Sequence, residues 1–330
     1  MLRVPFDKVA STLSAILVRA GFEPHRAELS ARLFAETTRD GVYSHGLERF
    51  PRLLAMIRNG SVDVHATPQR LLQLGAIERW DGSRGPGNLN AWGSMARAIE
   101  LSHQHGVGCV ALAHTNHWMR GGTYGWQAAD AGVIGICWTN TLANLPPWGA
   151  SVAAVGNNPL ILAVPRPTGH VILDMAMSQF SYGALTSYQL KGQLLPVDGG
   201  FDSSGNLTRD PAAIEASQRP LPIGYWKGAG LAMMLDLIAA LLSGGLATHQ
   251  IPRDPLRESG LSQVFLAINL ARLQPAEDSA RTANAIVDSV LASNPGAVHY
   301  PGEQILKTRA ENLALGLPVR DELWAELRAL

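Results

Sequence analysis

The chain has 330 residues, of which 46% are hydrophobic and 16% are charged, so it can bury a sizeable core and lacks the composition of a disordered protein. Lysine plus arginine and aspartate plus glutamate each number 27, and this neutral balance gives no basic footprint for nucleic acid or for a membrane surface. Asp7 and Lys8 interrupt the first apolar positions, which is not the pattern of a signal peptide. We therefore expect a cytoplasmic protein with no nucleic-acid and no membrane partner.

The first part of the chain, residues 5–60, is predicted to be helical because apolar residues recur there at helical spacing. Asn59-Gly60 is a stop signal for the last of these helices. Between two periodic stretches lies GVYSHG, residues 41–46, which places a tyrosine, a serine and a histidine where a helix connection ordinarily carries only turn residues. This polar cluster is the first candidate for a functional site.

The middle of the chain, residues 70–300, carries the predicted strands. Apolar runs predict strands in QRLLQLGAIERWDG, VGCVALAHT, VIGICWTNT, NPLILAVPRP, HVILDMAM and SQVFLAINL. The turn RPTG joins two of them over a connection too short for a parallel crossover, which indicates antiparallel pairing. NAWGSMARAIELSHQHG predicts a helix that ends at Gly106, and YGWQAADAG one that ends at Gly132. Cys109 and Cys137 lie in two of these apolar runs, as is typical of buried, reduced thiols.

The later segments complete a mixed α+β chain. PVDGGFDSSGNLTRDP is dense in turn residues and predicts a long surface loop. GLAMMLDLIAALLSGGLA is the most apolar segment, barely reaches spanning length and carries Asp236, so it predicts a buried helix. SARTANAIVDSVLAS and RDELWAELRAL predict further helices. We expect a helical N-terminal segment over 1–72, a sheet-containing domain over 73–298, and a C-terminal helical segment over 299–330 that packs with the N-terminal part.

His45 and Arg49 are four residues apart at an expected helix start, where positions i and i+4 share a face. An imidazole and a guanidinium would then point to one spot at the positively polarised end of the helix. That arrangement suits a small carboxylate beside a carbonyl that needs a proton. Pro51 is compatible with an early helix turn. A polar cap and a solvated arginine remain the non-functional interpretation.

His114 and His117 form an HxxH pattern, which could indicate two metal ligands. A metal site usually needs a third ligand and supporting hydrogen bonds, and no HExxH motif or cysteine cluster follows, so we expect no metal. A metal hydrolase that uses both histidines with Asp174 is kept as an alternative. Asn116-His117 before RGGTYG indicates a strand-to-helix turn that brings polar groups to a ligand, or a locally satisfied loop histidine.

No phosphate-binding glycine motif is complete in this sequence. No GxGxxG follows a strand, GSRGPG lacks the Lys-Ser/Thr of a phosphate loop, and KGAGLAM lacks the third glycine. Lys227, beside Trp226 at a helix start, could contact a diphosphate or be a surface lysine. Asp174 closes the run HVILD and could orient a histidine, bind a ribose or lie in water.

Taken together, several strings resemble the type 2 malate/L-lactate dehydrogenase family, which is distinct from the Rossmann-fold malate and lactate dehydrogenases. The resemblance is closest to its 2,3-diketo-L-gulonate reductase branch and runs from about residue 5 to the C-terminus. The strings that carry it are GVYSHGLERFPRLLAMIRNG, GAIERWDG, NHWMRGGTYGWQAADAGVIGICWTNT, PPWGA, NPLILAVP, FSYG, LPVDGGFDSSGNLT and GYWKGAGL.

The resemblance implies a non-Rossmann nicotinamide-binding domain with a largely antiparallel sheet, a helical domain built from both chain ends, and a homodimer. It implies that His45 is the acid/base group and that Ser44 and Arg49 hold the substrate. His117, Thr139 and Asn140 would border the nicotinamide and the substrate. The remaining cofactor contacts would be His170, Val171, Ile172, Leu173, Asp174, Met175, Ala176, Trp226, Lys227, Gly302, Glu303 and Gln304.

Three positions depart from the family pattern. Asn157 stands where many relatives have threonine, Ala176 stands where the branch has serine, and Glu303 stands where the branch has histidine but the wider family does not. The substrate assignment is therefore less specific than the family assignment.

The expected reaction is reduction of a small 2-keto acid, most of all 2,3-diketo-L-gulonate, to the 2-hydroxy acid. NADH is the expected cofactor, with NADPH as the alternative. Arg49 would fix the carboxylate, and protonated His45 would give its proton to the new alkoxide. Malate, lactate, ureidoglycolate or a cyclic imine acid are alternative substrates. A non-catalytic NADH-binding or sugar-acid-binding protein is an alternative of another class.

Overall fold

A seven-stranded mixed sheet with helices on its faces forms the centre of the computed structural model, which describes residues 1–330. The helices are α1 (Phe6–Arg19), α2 (Pro24–Arg39), α3 (Phe50–Arg58), α4 (Gly87–His105), α5 (Gly122–Asp130), α6 (Tyr182–Leu190), α7 (Pro211–Ser217), α8 (Trp226–Ser243), α9 (Ala276–Ala292), α10 (Glu303–Leu315) and α11 (Asp321–Ala329). The strands are β1 (Leu2–Val4), β2 (Gln69–Leu74), β3 (Ile77–Asp81), β4 (Val107–Asn116), β5 (Val133–Thr139), β6 (Leu160–Val164), β7 (Val171–Met175), β8 (Gly200–Phe201), β9 (Leu207–Thr208), β10 (Ser259–Asn269) and β11 (Leu317–Val319).

The main sheet has the order β2-β3-β4-β10-β5-β6-β7. Every neighbouring pair is antiparallel except β3 and β4. The strands joined by the RPTG turn, β6 and β7, are antiparallel neighbours, which confirms the prediction from the short connection. The mixed α and β architecture with a mostly antiparallel sheet is therefore the one that the sequence predicted.

The two largest clusters of buried apolar side chains form separate cores. The larger core joins α1, α2 and α3 to β11 and α11. The second core packs α4 and α5 against β4, β5 and β10, with Trp118, Tyr124 and Phe265 at its centre. Helix α4 ends at Gly106, as predicted. This glycine adopts the left-handed conformation, which is unstrained because a glycine carries no Cβ.

The two ends of the chain meet in a small sheet that the sequence analysis did not foresee. Strand β1 pairs antiparallel with β11, so that Leu2 lies opposite Val319. Arg3 reinforces this contact through a hydrogen bond of 2.7 Å to the side chain of Asn312. At the other end of the N-terminal segment, β2 begins at Gln69, so the boundary placed at residue 72 falls inside a strand of the main sheet.

Two predictions of local structure are wrong. The segment predicted as a long surface loop contains the short antiparallel pair β8 and β9, because the turn residues Ser203 to Asn206 allow the chain to reverse. Helix α8, predicted to be buried, has only 33% of its residues buried. It is the one helix long and apolar enough to cross a membrane by length and composition. Its exposed apolar side chains are Trp226, Leu231, Met233, Met234, Leu237, Ile238, Leu241 and Leu242.

Candidate active site

A cavity of about 510 Å³ opens between the two cores and collects residues from both halves of the chain. It is bordered by the turn after α2, the connection from β4 to α5, the ends of β5 and β7, and the segment before α10. Its lining includes the sequence-predicted residues Ser44, His45, His117, Thr139, Ile172, Leu173, Asp174, Ala176, Gly302 and Gln304. A cavity of this size with convergent polar groups is typical of a small-molecule site.

His45 lies in a short 3-10 turn, Tyr43–His45, and Arg49 ends a second one, Leu47–Arg49. The helix α3 begins only at Phe50, so the prediction that His45 and Arg49 share an α-helical face is wrong. The reason is Gly46, whose backbone is not helical and packs against α2 so closely that a Cβ would lie 2.2 Å from Thr38 Oγ1. Pro51 occupies the first turn of α3, as expected.

The side chain of His45 contacts two residues in the cavity, the polar Ser44 and the aromatic His117. Its Nδ1 lies 3.0 Å from Ser44 Oγ. Its ring is stacked on that of His117, with centroids 5.8 Å apart and 27° between the planes. The Nδ1 atom of His117 accepts a hydrogen bond of 3.0 Å from the backbone N–H of Met119, so the neutral ring carries its proton on Nε2.

Both histidines are held in the neutral form by their surroundings. Burial, followed by the charges of Arg49, Arg120 and Arg52, lowers the pKa of His45 to about 4. Burial and the charge of Arg49 also lower the pKa of His117 well below its usual value. An anion that binds beside these arginines would offset their charge and raise the pKa of His45 again.

Arg49 belongs to a buried ion cluster beside the cavity and is not among the residues that line it. Its Nη2 lies 3.7 Å from Glu258, and Arg52 contacts the same oxygen at 3.1 Å. Burial and the charge of Arg52 lower the pKa of Arg49 to about 10, while Glu258 opposes the shift. Two guanidinium groups thus share one carboxylate, which leaves a surplus of positive charge close to His45.

The predicted cofactor segment on β7 lies at the edge of the sheet, beside the segment that leads into α10. The backbone N–H of Ile172 donates to the carbonyl of Pro301 at 2.9 Å. Gly302 caps α10 with a φ of +96°, and a Cβ there would lie 3.2 Å from the nitrogen of Ile172. Val171 and Met175 belong to the same strand but do not line the cavity.

Asp174 points into the cavity from β7 and is tied to the start of α5. Its Oδ2 accepts a hydrogen bond of 2.8 Å from the backbone N–H of Gly122. Burial raises the pKa of Asp174, although the charge of Arg120 and the Gly122 hydrogen bond act against the shift. The side chain is open to the cavity, so a bound ligand can reach the carboxyl group.

Other sequence-predicted residues are placed away from the cavity. His170 lies between the backbone of Arg166 and the carboxylate of Asp130, at 3.0 Å from each. Glu303 contacts His299 at 2.6 Å. Trp226 and Lys227 begin α8 and do not line the cavity, and Trp226 is 66% exposed.

Asn140 is also outside the cavity and acts as a cross-link within the fold. Its Nδ2 donates to Asp236 on α8 and to the carbonyl of Leu246, each at 2.8 Å. Its Oδ1 accepts from the backbone of Ser262 on β10 at 2.8 Å. This fully hydrogen-bonded side chain follows Thr139 in the sequence and joins the end of β5 to α8 and β10.

The two histidines of the HxxH pattern do not meet. His114 Nδ1 lies 2.8 Å from Asp81 Oδ2 and faces a separate polar groove, whereas His117 and Asp174 line the main cavity. No group of three or more histidine, cysteine, aspartate or glutamate side chains is arranged to hold a metal ion.

Sequence reasoning missed Arg120, which lines the cavity and is only 5% exposed. Its Nη1 donates to Asp40 Oδ2 at 2.7 Å. Arg39 and Arg309 donate to the same carboxylate, so three guanidinium groups surround Asp40. No periodicity or spacing could have found this cluster, because its members come from α2, the β4–α5 connection and α10.

Burial acts to raise the pKa of Asp40, but the hydrogen bond from Arg309 and the charges and hydrogen bonds of Arg120 and Arg39 lower it to about 2. Asp40 is 2% exposed and immediately precedes the turn that carries His45. The ion cluster thus fixes the turn, the β4–α5 connection and α10 to one another around the cavity.

Comparison with known proteins gives one consistent picture. The sequence profile described as malate/L-lactate dehydrogenase matches residues 4–328. The 2,3-diketo-L-gulonate reductase of Escherichia coli (strain K12) is 46% identical over 333 residues, which is 100% of both chains.

Solved structures agree with this match at lower identity. The sulfolactate dehydrogenase from Methanocaldococcus jannaschii is 25% identical with a TM-score of 0.91, over 99% of this chain and 96% of that one. The delta1-piperideine-2-carboxylate reductase from Pseudomonas syringae pvar. tomato is 26% identical with a TM-score of 0.90, over 100% and 99% of the two chains.

Proposed function

Because the chain belongs to the malate/L-lactate dehydrogenase family and is therefore an oxidoreductase that acts on the CH–OH group of a hydroxy acid, we propose that it reduces 2,3-diketo-L-gulonate with NADH. The product is 3-dehydro-L-gulonate, and the same chemistry runs in reverse as 2-hydroxy acid oxidation. The observation that carries the proposal is the pair His45 and His117, stacked and half-buried in one cavity beside two clusters with surplus arginines.

His45 is the group that we assign to proton transfer at the C2 oxygen. In reduction it gives a proton to that oxygen, and in oxidation it takes the proton back. Ser44, in contact with His45 Nδ1, orients the ring so that Nε2 faces the substrate. His117 stacks on one face of this ring and limits its rotation.

Arg49 is the group that we assign to the substrate carboxylate. Glu258 is shared with Arg52, so it neutralises only part of the local positive charge. A carboxylate that enters beside Arg49 balances the remainder, and its charge favours protonation of His45. Binding of a 2-keto acid and loading of the acid with its proton are therefore coupled.

The residues around the cavity fit a nicotinamide cofactor. The sheet edge at β7 and the glycines at positions 122 and 302 form one side of the cavity, where added Cβ atoms would crowd Asp174 and Ile172. Ile172, Asp174, Gly302 and Gln304 are the residues that would hold the cofactor, with Thr139 near its nicotinamide. When bound, NADH supplies the hydride to the substrate carbonyl, and NADPH is the alternative donor.

The substrate is assigned from the relative with 46% identity, together with the composition of the cavity. Two of the departures from the family pattern, Asn157 and Ala176, line the cavity, while Glu303 contacts His299 outside it. Asn157 Oδ1 accepts a hydrogen bond of 3.2 Å from Thr141, so the amide is part of the cavity wall.

We also propose that the enzyme is a cytoplasmic homodimer. The support is the apolar face of α8, on which Leu241 is 78% exposed and Met233 50% exposed. Contiguous apolar surface of this kind is typical of a protein interface.

The test of the proposed reaction is the loss of NADH absorbance with purified protein and a panel of 2-keto acids. We expect the highest kcat/KM with 2,3-diketo-L-gulonate, and NADPH is run in parallel. Higher kcat/KM with oxaloacetate, pyruvate or a cyclic imine acid would move the substrate assignment within the family. Binding of NADH without turnover of any keto acid would contradict the enzymatic proposal.

A further inference from the structure

Arg120 has unused hydrogen-bonding capacity that its surroundings do not explain. Its guanidinium makes a single hydrogen bond, from Nη1 to Asp40, although the side chain is only 4% exposed. Its Nε is buried and has no partner. An arginine has five N–H donors, and buried donors without partners are costly, so an arginine held in this state is expected to serve a ligand.

The cavity wall beside this guanidinium is closely packed, because residue 122 is a glycine. A Cβ placed on Gly122 would lie 3.2 Å from Arg120 Nε and 2.7 Å from Asp174 Oδ2. Arg120 and Asp174 therefore lie side by side in the cavity wall, yet they are too far apart to form an ion pair with each other. Because Asp174 does not occupy the remaining N–H groups of Arg120, an oxygen of a ligand in the cavity can accept hydrogen bonds from them.

The backbone next to Arg120 is strained. The preceding residue, Met119, has a φ of +67°, which is unfavourable for a side chain other than glycine. On its other edge, Arg120 is anchored by Asp40, which is itself fixed by Arg39 and Arg309. Since one carboxylate serves three guanidinium groups, the charge of Arg120 is only partly balanced and remains available to an oxygen acceptor.

We propose that Arg120 is a substrate-binding residue that recognises a hydroxyl or keto oxygen of the sugar-acid chain beyond C2, and that it thereby selects polyoxygenated keto acids over short ones. This inference rests on the proposed function. Arg49 and Arg120 belong to different ion clusters, one centred on Glu258 and the other on Asp40. Arg49 holds the carboxylate of the sugar acid, and Arg120 binds an oxygen farther along its carbon chain.

The experiment measures the affinity of hydroxy acids for the enzyme saturated with NADH, by calorimetry. The reduced cofactor cannot oxidise them, so binding is observed without reaction. L-Gulonate carries the further hydroxyl groups, and L-lactate lacks them. We expect Arg120→Met to weaken L-gulonate binding by about tenfold or more, because a hydrogen bond to a charged group is lost, and to change L-lactate binding by less than about threefold. Arg120→Lys keeps the positive charge but lacks the forked guanidinium, so its affinity for L-gulonate is expected to lie between those of the wild type and Arg120→Met.

Arg39→Met is the matched control, because it removes a guanidinium from the same Asp40 carboxylate without changing the cavity lining. It is expected to leave the ratio of the two affinities unchanged. The inference is overturned if the wild-type protein does not bind L-gulonate, if Arg120→Met weakens both acids equally, or if the control gives the same loss. Absence of diketogulonate turnover, with the binding pattern intact, would contradict the proposed reaction and leave the role of Arg120 standing.

Discussion

The ring of His117 stacks on that of His45 at a centroid distance of 5.8 Å, within reach of the charge of Arg49. The pKa of His45 is about 4, so the protein by itself holds a neutral imidazole at neutral pH. A neutral imidazole is ready to accept a proton from a hydroxy acid. For reduction, the ring has to be charged, and the carboxylate of the keto acid is the group that promotes this.

Replacing His45 by alanine is expected to lower kcat for keto-acid reduction by about 10²–10⁴-fold, because the positioned proton donor is lost. The affinity for NADH, measured by fluorescence titration, should change little, since His45 lies on the substrate side of the proposed cofactor contacts. Near-wild-type kcat in this variant would eliminate His45 as the acid.

Arg49→Lys is expected to reduce kcat/KM for a 2-keto acid by about tenfold or more, because a point charge replaces a fork that can bind a carboxylate in two places. The effect is measured by steady-state kinetics at fixed, saturating NADH. Arg58→Lys, on the far part of α3, is the matched control and should leave kcat/KM unchanged. Equal kcat/KM for the Arg49 variant and the wild type would contradict the carboxylate assignment.

Acid is expected to destabilise the protein through His45. Its pKa is 6.5 in the unfolded chain and about 4 in the folded one, so between these values only the unfolded chain takes up the proton. The contribution to stability is therefore fully present above about pH 6.5 and decreases as the pH falls toward 4, by up to roughly 3 kcal/mol. His117 shifts in the same direction.

This pH dependence is measured by urea unfolding between about pH 7.5 and about pH 3.5, which brackets the interval from about pH 4 to about pH 6.5. His45→Asn should flatten the profile relative to the wild type, whereas His25→Asn, at an exposed position on α2, should not. Parallel profiles for His45→Asn and the wild type would show that His45 does not have the lowered pKa.

Asp40→Asn is expected to lower the free energy of unfolding by about 3–5 kcal/mol, because it leaves buried guanidinium groups without their shared carboxylate. Asp321→Asn, which removes an exposed pair with the N-terminal amine, should cost about 1 kcal/mol or less. Chemical denaturation of both variants gives the comparison. Similar losses in the two variants would mean that the Asp40 cluster adds little stability.

Leu241→Glu is expected to dissociate the proposed homodimer, since it places a charge on the exposed apolar face of α8. The molar mass in solution, from light scattering after size-exclusion chromatography, measures the effect. Leu273→Glu is the control at another exposed leucine, which is 71% accessible outside this face. A dimer that survives Leu241→Glu, or a wild-type protein that is monomeric, would place the interface elsewhere or remove it.

Much of the fold could be predicted from local patterns. The helical period in α1, α2 and α3, the glycine that ends α4, and the short turn between β6 and β7 each depend on a few consecutive residues. The pairing of β1 with β11 was not predicted, because each strand has only three residues and the two strands lie at opposite ends of the chain. The exposure of α8 was not predicted, because an apolar composition does not distinguish a core helix from a helix at an interface.

The sequence by itself determined the family, the mixed α and β architecture and the candidate residues His45 and His117, because these are carried by motifs and local spacing. Only the tertiary structure decided which candidates share one cavity, and it placed Asn140, Trp226 and Lys227 outside it. It also introduced Arg120, whose partner Asp40 lies on another element. The physical reason is that burial and charge balance depend on contacts between distant segments, and these contacts set the pKa of each group.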